Sequence, residues 1–148
     1  MDHLPIFINI REKPCIVIGG GDIALRKINL LLKAKARVEC LSLIFSKGIK
    51  NLSKDGSIKL INKSFDQTDI KNYSIIIAAT DDKSVNSLIS SIAQDKKILV
   101  NVVDSPELSS FIMPSIVDRS PLIIAVSSSG KAPVLSRIIR AKLETVIP

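Results

Sequence analysis

The stretch Pro14-Cys15-Ile16-Val17-Ile18-Gly19-Gly20-Gly21-Asp22-Ile23-Ala24 predicts the fold of this chain. An apolar run typical of a buried strand leads into a glycine-rich turn and then into the start of a helix. Gly19, Gly21 and Ala24 match G-x-G-x-x-[G/A], the pattern of dinucleotide-binding turns. The first glycine allows a tight turn, the second lets the backbone approach a pyrophosphate, and the small third residue lets the helix pack on the strand. We therefore expect a pyrophosphate at the N-terminus of this helix.

The residues after this turn alternate between helical and strand patterns. Ala24, Ile28 and Leu31 recur at helical spacing, and they predict an amphipathic helix that leads into the next strand. Further strands are expected at residues 37–43, 58–61, 74–79 and 98–103, with a short helix and turn at 45–56 and a helix at 82–94. This alternation predicts an α/β fold, a Rossmann-type doubly wound parallel sheet.

The pattern changes near residue 113. Two β-like runs, at 115–117 and 122–126, are joined by the turn-forming sequence Asp118-Arg119-Ser120-Pro121, and a basic amphipathic helix follows to about Ile147. Two strands and one helix can hardly bury a core of their own. We therefore expect a sheet domain at 1–113 and a small α+β dimerisation region at 114–148.

The composition indicates a chain that folds without disulfides or a preformed metal site. The 148 residues are 46% hydrophobic and 3% aromatic, which predicts a core of Ile, Leu, Val and Ala. Cys15 and Cys40 fall inside predicted strands without C-x-x-C spacing, so we expect buried packing residues. No apolar run approaches the length of a membrane span, and residues 1–5 do not resemble a signal peptide. The expected location is the cytoplasm, with no membrane partner.

The net charge of +7 predicts attraction to an anion but does not identify it. Nucleic acid is one candidate. However, the basic residues are scattered, and the four Phe and one Tyr are dispersed rather than placed for base stacking. A dinucleotide or a small polycarboxylate would exploit the same field, so we expect no nucleic-acid partner.

Ligands of an open α/β sheet bind outside the carboxyl ends of the strands, at the topological switch point. The residues expected at those ends are therefore the candidates for a site. They are Gly19, Gly21, Asp22 and Ile23; Ser42, Leu43 and Ile44; Thr80, Asp81 and Asp82; and Asn101 and Asp104.

The end of the second strand departs from the strong dinucleotide fingerprint. An acid that binds the ribose is expected there. Glu39 lies inside the strand instead, and Leu43 and Ile44 occupy its end. We therefore expect backbone and apolar contacts to hold the adenosine. No arginine stands there to receive a 2′-phosphate, which favours NAD over NADP although the motif does not decide.

The acids at the ends of the fourth and fifth strands have two interpretations each. Asp81 or Asp82 could cap the next helix, and Thr80 could contact a cofactor, which is compatible with capping. Asp104 could accept a proton near the nicotinamide end of a dinucleotide, or ligate a metal transiently. It could equally be a turn residue before Ser105-Pro106.

The last predicted helix also leaves alternatives open. Ser127 to Gly130, including Ser128, offers hydroxyl and N–H donors to an acidic ligand, or forms an ordinary N-cap loop. Lys131, Arg137, Arg140 and Lys142 are either anion-binding residues or a solvated helix face.

Several stretches together match one family. They are Met1-Asp2-His3-Leu4-Pro5-Ile6-Phe7, Gly19-Gly20-Gly21-Asp22 with Arg26-Lys27, Ala78-Ala79-Thr80-Asp81-Asp82, Asn101-Val102-Val103-Asp104, Ser110-Phe111-Ile112-Met113-Pro114-Ser115, Asp118-Arg119-Ser120-Pro121-Leu122 and Ala125-Val126-Ser127-Ser128. On these residues the chain closely resembles the precorrin-2 dehydrogenase/sirohydrochlorin ferrochelatase family, which includes the N-terminal module of siroheme synthase.

This resemblance implies an activity and a set of site residues. Members of the family oxidise precorrin-2, a tetrapyrrole, to sirohydrochlorin with NAD, and many then insert ferrous iron (Fe2+) to give siroheme. The resemblance implies an intertwined homodimer and makes Asp104 the general base for both steps. The implied cofactor contacts are Gly21, Asp22, Ile23, Leu43, Ile44 and Thr80. The candidates for binding substrate carboxylates are Ser128, Arg119, Lys131, Arg137 and Arg140.

The resemblance runs over essentially all 148 residues and does not reach the all-helical segment that follows the dimerisation region in the family, or the methyltransferase half of siroheme synthase. We therefore expect a chain without these two parts. A second hypothesis is therefore a non-catalytic NAD-binding remnant or sensing module that lost turnover with its C-terminal part.

Overall fold

The computed structural model describes residues 1–148, which form two compact units. The sheet unit comprises Ile6–Ser110, and the hairpin unit comprises Met1–Pro5 together with Phe111–Pro148. The sheet unit therefore ends at Ser110, whereas the sequence placed the boundary after residue 113. Residues 1–5 belong to the later unit, where Lys131 Nζ pairs with Asp2 Oδ2 at 2.7 Å.

The sheet unit is built on five parallel strands in the order β3-β2-β1-β4-β5. The strands are β1 (Pro14–Ile18), β2 (Arg37–Ser42), β3 (Ile58–Asn62), β4 (Ile75–Ala78) and β5 (Leu99–Val102). The helices are α1 (Asp22–Lys33), α2 (Lys47–Lys54) and α3 (Lys83–Asp95). Because β1 lies between β2 and β4, the strand order reverses at β1 and β4, which creates the switch point. The predicted Rossmann-type fold is confirmed.

Burial explains why these residues form these elements. All four residues of β4 are buried, as expected for a parallel strand covered on both faces. In α1 the buried residues are Ala24, Ile28 and Leu31, whose spacing places them on one helical face. Ile16 and Ile76 are fully buried at the centre of the core cluster, where β1 and β4 pair.

The hairpin unit contains an antiparallel hairpin and one helix. The hairpin is formed by β6 (Ser115–Arg119) and β7 (Leu122–Val126), joined by a cis Ser120-Pro121 peptide, and the helix is α4 (Pro133–Val146). Its large exposed apolar side chains are Met1, Leu4, Leu122, Ile123, Val134, Leu135, Ile138, Ile139 and Val146. The unit therefore leaves much of its apolar surface uncovered. None of the four helices of the protein combines the length and apolarity needed to cross a membrane.

The two cysteines pack inside the sheet, as predicted. Cys15 and Cys40 are unpaired and fully buried, and the Cys40 thiol donates to the Gly19 carbonyl at 3.2 Å. Burial raises the pKa of Cys15 to about 11 and that of Cys40 to about 12. Both thiols therefore stay protonated and inaccessible at neutral pH.

We expect both thiols to be inert in the folded protein. A raised pKa leaves little thiolate, and thiolate is the form that reacts. With a thiol-specific reagent at mildly alkaline pH, reaction should be at least about a hundredfold slower than for free cysteine. In urea, both thiols should react at the free-cysteine rate. Fast reaction of the folded protein would contradict the buried placement.

Candidate functional site

A cleft of ≈ 770 Å³ opens at the carboxyl ends of the strands. Its lining comes entirely from the sheet unit. It consists of Ile18, Gly19, Gly20, Gly21, Asp22, Ile23, Ala24, Leu41, Ser42, Leu43, Ile44, Lys63, Ser64, Phe65, Ala79, Thr80, Asp81, Asp82 and Val85. All seven residues predicted for the cofactor therefore lie around one cavity at the switch point.

The glycine turn (Gly19–Gly21) is wedged between the ends of two neighbouring strands. Gly19 has φ +132°, and a Cβ there would overlap the carbonyl of Ala79. A Cβ on Gly20 would overlap the carbonyl of Ile44, and the Gly20 carbonyl accepts from the Ser46 N–H at 2.7 Å. The first two glycines are thus required by the protein's own backbone.

Gly21 is different, because it faces open space. It is the N-cap of α1, it supplies no side-chain cap, and a Cβ there would meet nothing within 4 Å. The first N–H groups of an uncapped helix have no partner within the helix. Asp22 and Ile23 follow at the mouth of the cleft and are both exposed. This helix end can receive an anion such as a pyrophosphate.

The end of β2 presents apolar side chains to the cleft. Leu43 is 65% exposed and Ile44 is 80% exposed, and both line the cleft, so these two adjacent apolar side chains are accessible to a ligand there. Asn62 at the end of β3 donates through Nδ2 to the carbonyls of Ser42 at 3.1 Å and Leu43 at 2.9 Å. Asn62 therefore holds the backbone at the end of β2 in place.

Glu39 is not a ribose-binding acid. Its carboxylate accepts a hydrogen bond from the Tyr73 hydroxyl at 2.5 Å and pairs with Lys59 Nζ at 3.5 Å. Burial and the bond to Glu39 raise the pKa of Tyr73 above its ordinary value. The acid is already engaged inside the sheet, and it does not line the cleft.

Thr80 at the end of β4 is fixed by a residue that sequence reasoning missed. Its hydroxyl donates to Asn86 Oδ1 at 2.6 Å, and Asn86 Nδ2 donates back to the Thr80 carbonyl at 3.0 Å. Asn86 is buried on α3 together with Ile89, Ser90 and Ala93, and no sequence pattern marks it as a contact of Thr80. Thr80 therefore has a fixed position in the cleft wall.

Of the two interpretations given for Asp81 and Asp82, helix capping is confirmed for Asp82. Asp82 is the N-cap of α3, and its Oδ1 accepts from the N–H groups of Ser84 at 2.9 Å and Val85 at 3.2 Å. Hydrogen bonds from the Ser84 hydroxyl and from these N–H groups lower the pKa of Asp82. Asp81 also lines the cleft, but it does not cap the helix.

Asp104 lies in a tight turn directly after β5. Its φ is +59°, a left-handed conformation that Asp adopts more readily than most residues, and the Ser105 N–H closes the turn on the Val102 carbonyl at 3.1 Å. The carboxylate is exposed and enters no hydrogen bond or ion pair within 4.0 Å. The pKa of the partly buried Lys27 is lowered, mainly because burial removes water from its ammonium group and also because the positive charge of Arg26 repels it. The negative charge of Asp104 acts in the opposite direction and raises this pKa. Asp104 is thus a turn residue. Its carboxylate is also free of hydrogen bonds, and its charge interacts with that of Lys27.

In the hairpin unit, two of the predicted substrate-binding residues already have partners. Ser128 Oγ accepts from the Ala132 N–H at 2.9 Å, one residue before α4 begins. The Lys131 ammonium pairs with Asp2 at 2.7 Å while both side chains remain largely exposed. An exposed pair of this kind is weak, so an incoming carboxylate can replace Asp2.

The three arginines differ in how free they are. Arg140 pairs with Glu144 at 2.6 Å, and Arg119 donates to the Glu144 carbonyl at 3.4 Å. Arg137 is exposed and forms neither a hydrogen bond nor an ion pair. Of the predicted cations, Arg137 is therefore the most available to an anion.

Comparison with known proteins gives consistent matches along the whole chain. Residues 6–115 match the family described as "Putative NAD(P)-binding", and residues 119–145 match "Sirohaem biosynthesis protein central". The chain is 55% identical over 148 residues to the siroheme synthase of Ruthia magnifica subsp. Calyptogena magnifica, and it covers 31% of that protein. It is 48% identical over 148 residues to the siroheme synthase of Salmonella paratyphi B, of which it covers 32%. The chain thus spans about a third of the length of these relatives.

A solved structure shares the fold of the whole chain. The match is to "SirC, precorrin-2 dehydrogenase", with a TM-score of 0.86 and 25% sequence identity. The aligned region covers 99% of this chain and 72% of that one.

The glycines allow binding to be separated from folding. A Gly21→Ala Cβ would fill open space where a pyrophosphate approaches, so NAD affinity should fall at least about tenfold while stability falls by about 1 kcal/mol or less. Gly19→Ala should instead destabilise the fold by about 1–3 kcal/mol, because its positive φ and the Ala79 carbonyl oppose a side chain. Calorimetric titration with NAD and urea unfolding measure the two effects. Equal stability losses in both variants would contradict the geometry.

Proposed function

Because the chain belongs to the family that includes siroheme synthase and precorrin-2 dehydrogenase, we propose that it oxidises precorrin-2 to sirohydrochlorin with NAD. One observation carries the proposal. A free carboxylate, Asp104, follows the strand next to a cleft that is built around the glycine turn. An oxidation that removes a hydride and a proton needs both features.

The residues of the cleft fit a dinucleotide. The uncapped start of α1 suits the pyrophosphate, with the N–H groups of Asp22 and Ile23 beside the open space at Gly21. The exposed side chains of Leu43 and Ile44 suit the adenosine. When bound, NAD supplies the hydride acceptor. The remaining chemistry falls to the chain itself.

Asp104 is the residue proposed to take the proton. In the oxidation, two electrons leave precorrin-2 with a hydride, and one proton passes to the Asp104 carboxylate. That carboxylate is exposed and enters no hydrogen bond, so its oxygens are free to accept. The charge of Asp104 interacts with that of the Lys27 ammonium group.

Arg137 is the first residue proposed to bind a substrate carboxylate. Precorrin-2 carries eight carboxylates, and the chain has a net charge of +7. Arg137 has no competing partner, whereas Lys131 would first leave Asp2 and Arg140 would first leave Glu144. Arg119 and Ser128 complete the proposed set.

We extend the proposal to insertion of ferrous iron into sirohydrochlorin. Fe2+ replaces two pyrrole N–H protons in this step, and Asp104 would accept them in turn. Support comes from the relatives named siroheme synthase, of which this chain covers about a third. The macrocycle supplies the nitrogen ligands that finally hold the iron.

We also propose that the protein is a homodimer that forms through the hairpin unit. The exposed apolar side chains of α4 include Leu135, Ile138 and Ile139, and those of β7 include Leu122 and Ile123. Leu135, Ile138 and Ile139 recur at helical spacing and therefore share one face of α4, and an exposed apolar face of this kind is typical of an interaction site. A second copy of the chain would bury it.

Asp104→Asn tests the proposed catalytic base. NADH formation with precorrin-2 and NAD under anaerobic conditions should fall about 10²- to 10⁴-fold, because the amide cannot accept the proton. The dissociation constant for NAD should change less than about twofold, since Asp104 does not line the cleft. Glu107→Gln, an exposed neighbour in the same loop, serves as the charge-matched control.

Two results would count against this proposal. Undiminished turnover by Asp104→Asn would remove Asp104 from the mechanism. NAD binding by the unaltered protein without any NADH formation would favour the second hypothesis, a non-catalytic NAD-binding module.

Leu135→Glu tests the proposed dimer. A charge on this exposed apolar helix face should weaken association at least about a hundredfold, because an unpaired carboxylate would be buried in the interface. Analytical ultracentrifugation measures the change. Thr145→Glu adds the same charge at an exposed polar position of α4 and should leave association unchanged. A monomeric unaltered protein would refute the proposal.

A further inference from the structure

Lys63 stands at the adenosine end of the cofactor cleft, although sequence reasoning did not identify it. It directly follows β3, whose last residue, Asn62, lies in register with Ser42 at the end of β2. Lys63 lines the same cleft as Leu43 and Ile44. In a Rossmann-type sheet the end of β2 receives the adenosine ribose, where NADP carries an additional 2′-phosphate. A cation at this place could therefore bind that phosphate.

Lys63 is, however, already engaged by a fixed carboxylate. Its Nζ pairs with Asp69 Oδ1 at 2.7 Å, and Asp69 Oδ2 accepts from the Asp66 N–H at 2.7 Å. These bonds belong to a capping box at the short 3-10 turn Gln67–Asp69. The Asp69 side chain is 13% exposed, against 45% for Lys63. Asp69 is therefore the anchored partner, and Lys63 is the one held by it.

Asp66 adds a second carboxylate to this cluster. Its Oδ1 accepts from the Thr68 N–H at 2.9 Å, and its charge interacts with that of Lys63. Two carboxylates around one ammonium group leave the cluster with a net negative charge. A doubly charged phosphate would gain Lys63 only by displacing Asp69, and it would still face both carboxylates.

We propose that Asp69 makes the cleft selective for NAD by holding Lys63 and so withholding the cation that a 2′-phosphate needs. This inference rests on the proposed function, since it concerns the same cofactor. Lys63 is then a latent phosphate-binding residue, and Asp69 is the specificity-determining one. The ribose of NAD presents only a hydroxyl at this position, so the Lys63–Asp69 pair does not oppose it.

The test compares NAD and NADP binding by calorimetric titration. Asp69→Asn keeps the size of the side chain and its carbonyl oxygen, removes the charge, and frees Lys63. NADP should then bind about tenfold more tightly, because a charge-assisted bond to phosphate replaces the ion pair. The dissociation constant for NAD should change less than about threefold. The NADP gain should shrink in high salt, since part of it is a screened surface interaction.

Three variants make the test specific. Asp95→Asn removes the same charge at the far end of α3 and should not tighten NADP binding. Lys63→Gln combined with Asp69→Asn should abolish the gain. Lys63→Gln alone should leave NADP affinity within about twofold of the unaltered protein, because Asp69 already occupies Lys63. This last variant leaves Asp69 and its capping bond to Asp66 in place.

The outcomes separate this inference from the proposed function. NAD binding with no NADP gain in Asp69→Asn beyond that in Asp95→Asn would overturn the selectivity proposal alone. Equal affinities of the unaltered protein for NAD and NADP would also overturn it, as would a marked loss of NADP affinity in Lys63→Gln alone. An unaltered protein that binds neither nucleotide would refute both proposals.

Discussion

The close approach of the glycine turn to two neighbouring strand ends is the constraint on which the site depends. Gly19 lies against the Ala79 carbonyl, and Gly20 lies against the Ile44 carbonyl. The turn is thereby fixed between the ends of β4 and β2, and this fixes where α1 begins. Only Gly21 is left facing open space. Two glycines thus serve the packing of the protein, and the third keeps the helix end accessible to an anion.

The two acids that follow β4 and β5, Asp82 and Asp104, differ in how their carboxylates are engaged. Asp82 caps α3 and uses its carboxylate on two backbone N–H groups. Asp104 lies in a turn closed by other backbone groups, so its carboxylate stays unbonded. An Asp engaged as a cap is a poor proton acceptor, because the hydrogen bonds stabilise its ionised form. Hydrogen bonding therefore occupies the carboxylate of Asp82 and leaves that of Asp104 available to a ligand.

The sequence predicts the sheet unit well, because its signals are local. The apolar run of β4 and the helical spacing of Ala24, Ile28 and Leu31 identify buried elements without knowledge of their partners. The sequence could not reveal Asn86 or Lys63 as parts of the site. Asn86 reaches Thr80 across a helix cap, and Lys63 reaches the cleft only through the register of β3 on β2. Both depend on tertiary contacts that have no periodic signal.

The net charge of the sequence does not show where the charged side chains lie in the structure. The chain carries +7, yet the cleft is lined by one cation, Lys63, and by the carboxylates of Asp22, Asp81 and Asp82. A dinucleotide can still bind there, because backbone N–H groups at the start of α1 supply the positive potential for its pyrophosphate. Since that potential falls off within one helical turn, it does not extend to the adenosine end. An additional phosphate there depends on side chains alone, and their charge is unfavourable unless Lys63 is free.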